Sequence, residues 1–403
     1  MIAVLSRKEY LEQLKTWKDK QIIKVITGVR RCGKSTLFQL YTDYLKSAGI
    51  RNEQILSVNL EDLAYENLLD YKALYRYFKE RLFPDGITYI FIDEVQNCPN
   101  FEKAVDSLMV QPNVDIYITG SNAFMLSGEL ATLLSGRYVT IDMLPLSFSE
   151  YWEAAEKEGS SKQEAFNDYL HYGSFPYVTA LGKNDATIWT YIDGIYNTIL
   201  VKDVAQREGI TDIPLLESIV NTLAGSIGSP VSTKKISDTI NSSGRRISVN
   251  TVDRYMKALT DSYIFYKAER YDLRGRQYLK TLGKYYLVDT GLRNLLLSSA
   301  SADTGHLIEN IVFLELLRRG NKVNIGKLGD NKVDFVIRNS TGTAYYQVAS
   351  SVLDEHTLKR ELEPLQRISD NYPKYLLTLD DIGAGADYEG IRQLNLINWL
   401  LEK

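Results

Sequence analysis

Cysteine is nearly missing from this chain. Two occur in 403 residues, Cys32 and Cys98. That is too few for a disulfide framework and fits a reducing compartment. Three histidines cannot build a histidine-rich metal centre. No apolar run approaches the ~20 residues of a membrane span. The opening MIAVLSRKEYLEQLK reaches a charge by Arg7 and lacks the long apolar core of a secretory signal. The expected setting is the cytoplasm, with no membrane partner. A formal net charge of −4 excludes a basic field over the whole molecule of the kind that coats nucleic acid. Fixed-period repeats and low-complexity segments are absent.

What is present belongs to globular proteins. Hydrophobic residues make up 44% and charged residues 24%, and the length suggests two to four domains of ~100–200 residues each. The 28 tyrosines read as packing and surface filler. Over residues 1–145, short β-branched or aromatic runs alternate with helical stretches: IIKVIT (22–27), ILSVNL (55–60), ITYIFID (87–93), VDIYITG (114–120) and YVTIDM (138–143). Such alternation predicts an α/β fold with a five-stranded parallel sheet covered by helices. Residues 146–228 read as all-helical, and Gly225, Gly228 and Pro230 mark a boundary. Residues 229–280 read as a helix–turn–helix with a wing. Val249, Val252, Met256 and Leu259 share one helical face, and two strand-like pieces flank Arg274-Gly275-Arg276. Residues 281–403 return to mixed α/β.

The strongest signal is Gly28-Val29-Arg30-Arg31-Cys32-Gly33-Lys34-Ser35-Thr36, which fits G-x-x-x-x-G-K-[ST] between a strand and a helix. The glycines let successive N–H groups turn inward, and these donors with the helix N-terminus attract phosphate oxygens. Lys34 is expected to reach the β- and γ-phosphates of ATP, and Ser35 to ligate Mg²⁺. The apolar strand before Asp93-Glu94 delivers Asp93 as a Mg²⁺ partner through water and Glu94 as the base that polarises an attacking water. Thr119-Gly-Ser121-Asn122 ends the next strand and makes Asn122 a candidate for contact with the γ-phosphate or the water. Arg137 either neutralises charge on the transferred phosphoryl group, in cis or from a neighbouring subunit, or makes a surface ion pair. Cys32 carries two readings: a thiol activated by the helix N-terminus, so that alkylation blocks the site, or a residue that contributes only its backbone N–H. Asn331-Lys-Val-Asp334 spells a guanine-recognition string, but it enters a strand almost 300 residues after the loop. It is read as coincidence, which favours ATP over GTP.

Together GVRRCGKST, IFIDEVQN, ITGSNAFML and SGRYVTIDMLPLSFSEY resemble a large group of bacterial and archaeal AAA+ superfamily ATPases. YGSFPYV (172–178), ILVKDVAQREGI (199–210), KYYLVDTGLRNLL (284–296), GHLIENIVFLEL (305–316) and VDFVI (333–337) extend the resemblance over nearly the whole chain. It implies an AAA-type P-loop core (1–145), a helical lid (146–228), a winged-helix module (229–280) and a C-terminal domain similar to PD-(D/E)xK nucleases (281–403). In that nuclease pattern Glu309 and Asp334 match two metal-binding acids. The second strand, however, reads Gln347-Val348-Ala349, with Gln for the third acid and Ala for the lysine. A hard metal loses a charged oxygen ligand and the water loses its cation. The expectation is an inactive nuclease-like fold in which Glu309 and Asp334 bind a partner or a capping group. Lys359 is the candidate to replace the lost lysine.

Residues 231–280 carry eleven Lys and Arg against five Asp and Glu, a net +6 within an acidic chain. Asn250, Asp253, Arg254 and Lys257 lie on the polar face of the second helix. Two functions are expected from different classes: a nucleic-acid-associated motor or switch ATPase that holds DNA through this segment, or a signalling or scaffold ATPase whose C-terminal modules recruit proteins. Oligomerisation is compatible with either.

Overall fold

A computed structural model describes residues 5–121, 134, 136–242, 244–275, 277–297, 304–329, 331–340 and 342–402. Asn122 and Arg276 lie outside the described residues. The chain divides into two compact units, Met1–Met143 with Asp261–Tyr263, and Leu144–Thr260 with Ile264–Lys403. Among the described residues, no helix is long and apolar enough to cross a membrane.

The first unit is built on five strands, β1 (Ile23–Thr27), β2 (Ile55–Asn59), β3 (Thr88–Asp93), β4 (Val114–Gly120) and β5 (Tyr138–Asp142). Each matches one of the apolar runs read from the sequence. All pair in parallel, in the order β2-β3-β4-β1-β5. Helices α1 (Lys8–Thr16), α2 (Lys34–Ser47), α3 (Tyr71–Lys79) and α4 (Phe101–Met109) complete this unit's described α-helices. Asp70 caps α3 by accepting from the Ala73 N–H, which satisfies an end donor that the helix cannot. On one face, strand residues Val25, Ile90, Ile92, Ile116 and Ile118 pack with Leu74, Phe78, Val105 and Leu108. Every residue of β1, β3 and β4 is buried, which explains why apolar side chains dominate both faces of these strands.

The tyrosines here are more than filler. Tyr117 stacks on Phe91 with ring centroids 4.9 Å apart, and its hydroxyl donates to Asp115 at 2.8 Å. Asp115 is ion-paired with the buried Lys24. The Asp19 N–H donates to the same carboxylate at 2.9 Å. Buried charge persists here because every member has a partner.

The second unit starts with helices α5 (Phe148–Lys157), α6 (Lys162–Tyr172), α7 (Asp185–Thr198) and α8 (Ile213–Gly225). Ser147 with Glu150 and Ser161 with Glu164 form capping boxes at the starts of α5 and α6. Helices α9 (Thr233–Ser242) and α10 (Val249–Asp261) come after them. An eight-stranded sheet comes next: β6 (Phe265–Asp272), β7 (Gln277–Leu287), β8 (Lys322–Leu328), β9 (Asn331–Asn339), β10 (Gly342–Val348), β11 (Lys374–Thr378), β12 (Asp387–Tyr388) and β13 (Ile391–Asn395), in the order β12-β13-β11-β10-β9-β8-β6-β7. Helices α11 (Thr290–Leu297), α12 (Thr304–Arg318), α13 (Glu355–Gln366) and α14 (Leu396–Leu401) accompany it.

Two features differ from the sequence reading. Strands β6 and β7 do form a hairpin around Arg274 and Gly275, but β6 also pairs in parallel with β8 at Arg270–Ile325 through Asp272–Lys327. The expected wing is therefore the edge of the larger sheet, and β7 runs straight through the boundary placed at residue 280. The helical segment is also tied to α11 and the turn before it. The buried Asp289 carboxylate accepts from the Ser174 N–H and, at 2.8 Å, from the Ser174 hydroxyl. It further accepts from the Leu292 N–H at 3.0 Å. Asn294 Nδ2 donates to the carbonyls of Leu170 and His171 at 3.0 and 2.8 Å. The YGSFPYV and VDTGLRNLL motifs thus meet in one junction. Gly173 (φ +83°) is required there, because a side chain would strike the Asp289 carboxylate.

Candidate functional site

The loop of residues 28–33 leaves the C-terminal end of β1 and enters α2 directly. Gly28 (φ +148°) lies against the Met143 carbonyl so closely that a Cβ would collide with it. Gly33 and Arg31 also take positive φ, +105° and +68°. Gly33 is the N-cap of α2 and no side chain caps that end, so the first N–H groups of the helix remain available to an anion. Val29 and Cys32 are fully buried under the loop. Arg30 pairs with Glu61 at 2.8 Å, while Ser35 is exposed and Thr36 half-buried.

Lys34 is 4% exposed. Its Nζ donates to the carbonyls of Gly28 and Val29 at 3.0 and 3.3 Å and stands 3.8 Å from Glu94 Oε1. Asp93 and Glu94, at the end of β3, are both buried. Thr119, from β4, joins them: its hydroxyl donates to Asp93 Oδ1 and accepts from the Glu94 N–H, the latter at 2.9 Å. Glu94 sits in the left-handed region at φ +52°, a backbone cost of roughly 1–2 kcal/mol that such sites carry. Ser35 and Asp93 line one cleft of about 510 Å³ with Phe38, Gln39, Ser57 and Asn59. Hydroxyl, carboxylate and amide oxygens on its walls are the donor set that Mg²⁺ takes, so these residues fit the implied ion.

Three contributors escaped the motif reading. Gln96 Nε2 donates to Glu94 Oε2 and reaches Ser121 Oγ at 3.4 Å, which orients the acid. Arg7, buried and at φ +43°, donates to the Cys32 carbonyl at 3.1 Å and so braces the loop from below. Asn59 pairs in register with Asp93 across β2 and β3. The available signal for Asn59 was a polar residue at a strand's C-terminal end. For Arg7 there was none, since it lies some 25 residues away in sequence.

Arg137 is not brought to this site. It precedes β5, and its carbonyl accepts from the Ile23 N–H at the start of β1. The loop departs from the other end of β1, five residues on, or roughly 16 Å at ~3.3 Å per residue. Arg137 instead pairs with Asp106 at 3.6 Å. Contact in cis is excluded by this placement. Cys32 also departs from its activated reading: burial pushes the thiol up and outweighs Lys34 and Arg7.

In the second unit, Asn250, Asp253, Arg254 and Lys257 are exposed on α10, as are Lys234, Lys235 and Arg246 nearby. Val249 is 36% exposed, while Val252, Met256 and Leu259 are buried. Arg245 pairs with Asp212 at 3.6 Å. Glu309 and Asp334 do come together, but with Lys284. Lys359 is exposed and pairs with Glu355 at 2.7 Å, so it does not replace the missing lysine. Asp334 lies inside β9, which confirms that the Asn331–Asp334 string enters a strand.

The chain is similar to known families and proteins. The model of the AAA domain matches residues 20–152, and that of a domain of unknown function (DUF8612) matches 163–303. An uncharacterized protein of Haemophilus influenzae is 41% identical over 99% of both chains. The uncharacterized protein MJ1544 of Methanocaldococcus jannaschii is 31% identical over 78% of this chain and 72% of its own. Among solved structures, the Aeropyrum pernix ORC1 protein in complex with DNA aligns with 74% of this chain and 94% of its own, at 14% identity and a TM-score of 0.30.

Proposed function

We propose, from the premise that this chain belongs to the AAA+ superfamily ATPases and shares its family with the Haemophilus and Methanocaldococcus proteins, that it is a Mg²⁺-dependent ATP hydrolase acting as a nucleic-acid-associated motor or switch. The observation that carries the ATPase reading is the Lys34 ammonium held 3.8 Å from Glu94, beside the buried Asp93 at the end of β3. The loop N–H groups bind the phosphates, and Lys34 exchanges its carbonyl partners for phosphate oxygens. Ser35 and Asp93 would hold Mg²⁺, which would supply positive charge against the phosphates. Glu94, oriented by Gln96, accepts a proton from the attacking water. Arg137, given its position, serves this chemistry only from a neighbouring copy.

The DNA part of the proposal rests on the exposed cations of α9 and α10. Binding through such a patch releases counterions and weakens as salt rises. ATP hydrolysis measured with and without duplex DNA over a salt series tests it. Stimulation at low salt that fades at high salt is expected; hydrolysis indifferent to DNA at every salt concentration removes the nucleic-acid role. The alternative, a scaffold ATPase that recruits a protein, is favoured by one observation. Strand β7 is a sheet edge with Tyr278 and Leu282 each 42% exposed, a surface suited to strand addition.

A further inference from the structure

The metal that the nuclease resemblance implies for the C-terminal sheet does not fit the residues present. Among the described residues, no group of three or more His, Cys, Asp or Glu stands where it could hold a metal ion. Glu309, on α12, and Asp334, on β9, face a cation already built into the chain. Lys284, from β7, is 5% exposed. Its Nζ donates to Glu309 Oε1 at 2.8 Å and stands 3.6 Å from Asp334 Oδ1.

Part of the remaining acceptor capacity is also taken. The Tyr286 hydroxyl donates to Glu309 Oε1 at 2.6 Å, and the Val348 N–H donates to Asp334 Oδ2 at 3.1 Å. Gln347, where the pattern expects the third acid, accepts from the Asp334 N–H at 3.3 Å and donates to Glu361 at 2.8 Å. Its amide closes the network without adding charge. The cluster is covered as well. A side chain at Gly228 (φ +73°) would meet His306 and Glu309, and Pro230 bridges to Lys284. The loop that leads into α9 therefore lies against Glu309 and Lys284, which narrows the approach of a hydrated divalent ion.

We propose that the Lys284 ammonium is the resident cation of this cluster, standing where the nuclease pattern places a divalent metal, and that it makes the C-terminal sheet a metal-free module. A buried ammonium between two carboxylates balances one of their two charges without the several oxygen ligands a hard metal demands. Burial alone would push Lys284 down, but Asp334 and Glu309 outweigh it and hold the ammonium protonated. Sequence matching missed Lys284 because it stands outside the acid pattern, 63 residues before the position where that pattern expects a third acid.

The test is thermal unfolding of the full chain, free of nucleotide and carrying Lys34→Ala, so that Mn²⁺ bound with phosphate does not contribute. Excess Mn²⁺ is expected to leave the midpoint unchanged. Lys284→Met should lower the midpoint by roughly 5–10 °C, as breaking a buried pair does. Adding Glu309→Gln to Lys284→Met should recover part of that loss. A Mn²⁺-dependent rise that Glu309→Gln abolishes would overturn the proposal, and this arm stands even if Lys284→Met does not fold. A double variant no more stable than Lys284→Met alone would also overturn it.

Discussion

Cys32 occupies the middle of the phosphate-binding loop, yet its thiol faces inward. It is fully buried, and burial raises its pKa. Cys98 is buried too, with its thiol pushed up to about 11 chiefly by desolvation. The thiolate is the reactive form, so iodoacetamide at pH 8 should label neither cysteine in the native chain and both after denaturation. Rapid native labelling of Cys32 with loss of ATP binding would restore the activated reading. At this scale the sequence was legible where spacing alone defines chemistry. Residues 28–36 and the Asp93-Glu94 pair land where the motifs placed them. Gln96, Asn59 and Arg7 were not legible as partners, because a local side-chain contact, a strand register and a tie to a residue 25 positions away leave no spacing signal. Lys284 was hidden for the same reason.

Among the elements, the parallel strands were read correctly because they are short runs rich in β-branched and aromatic residues that alternate with helical stretches. The β6–β7 hairpin was misassigned because local alternation reveals a hairpin but not its neighbour. Only the pairing of β6 with β8 shows which sheet it joins. Arg137 illustrates a related limit. Sequence proximity to other motifs suggested the site, whereas parallel topology puts the start of β5 at the opposite end of the sheet. The junction at Asp289 was visible as two motifs and invisible as one structure. Asp289→Ala removes the acceptor of the Ser174 and Leu292 donors. It should cost about 3 kcal/mol, the scale of orphaned buried donors to a charged group. Denaturant unfolding of the variant measures this; a loss below about 0.5 kcal/mol, the range of ordinary surface substitutions, would show that the junction is not a structural tie.

Across the whole molecule, a modest net charge concealed a division of labour. Residues 231–280 carry +6 and the remainder −10, so the average describes neither part. The scarcity of cysteine and histidine proved informative in the other direction. The candidate chemistry belongs to phosphate, Mg²⁺ and carboxylates in the first unit, while the second unit answers the Glu309 and Asp334 pair with a lysine. Steady-state phosphate release from ATP, measured beside nucleotide affinity in the wild type, Lys34→Ala and Glu94→Gln, tests the central claim most directly. Lys34→Ala should abolish tight ATP binding. Glu94→Gln should keep affinity and slow release by about 10²–10⁴-fold, the usual loss with a general base. Turnover in Glu94→Gln equal to wild type would contradict the account.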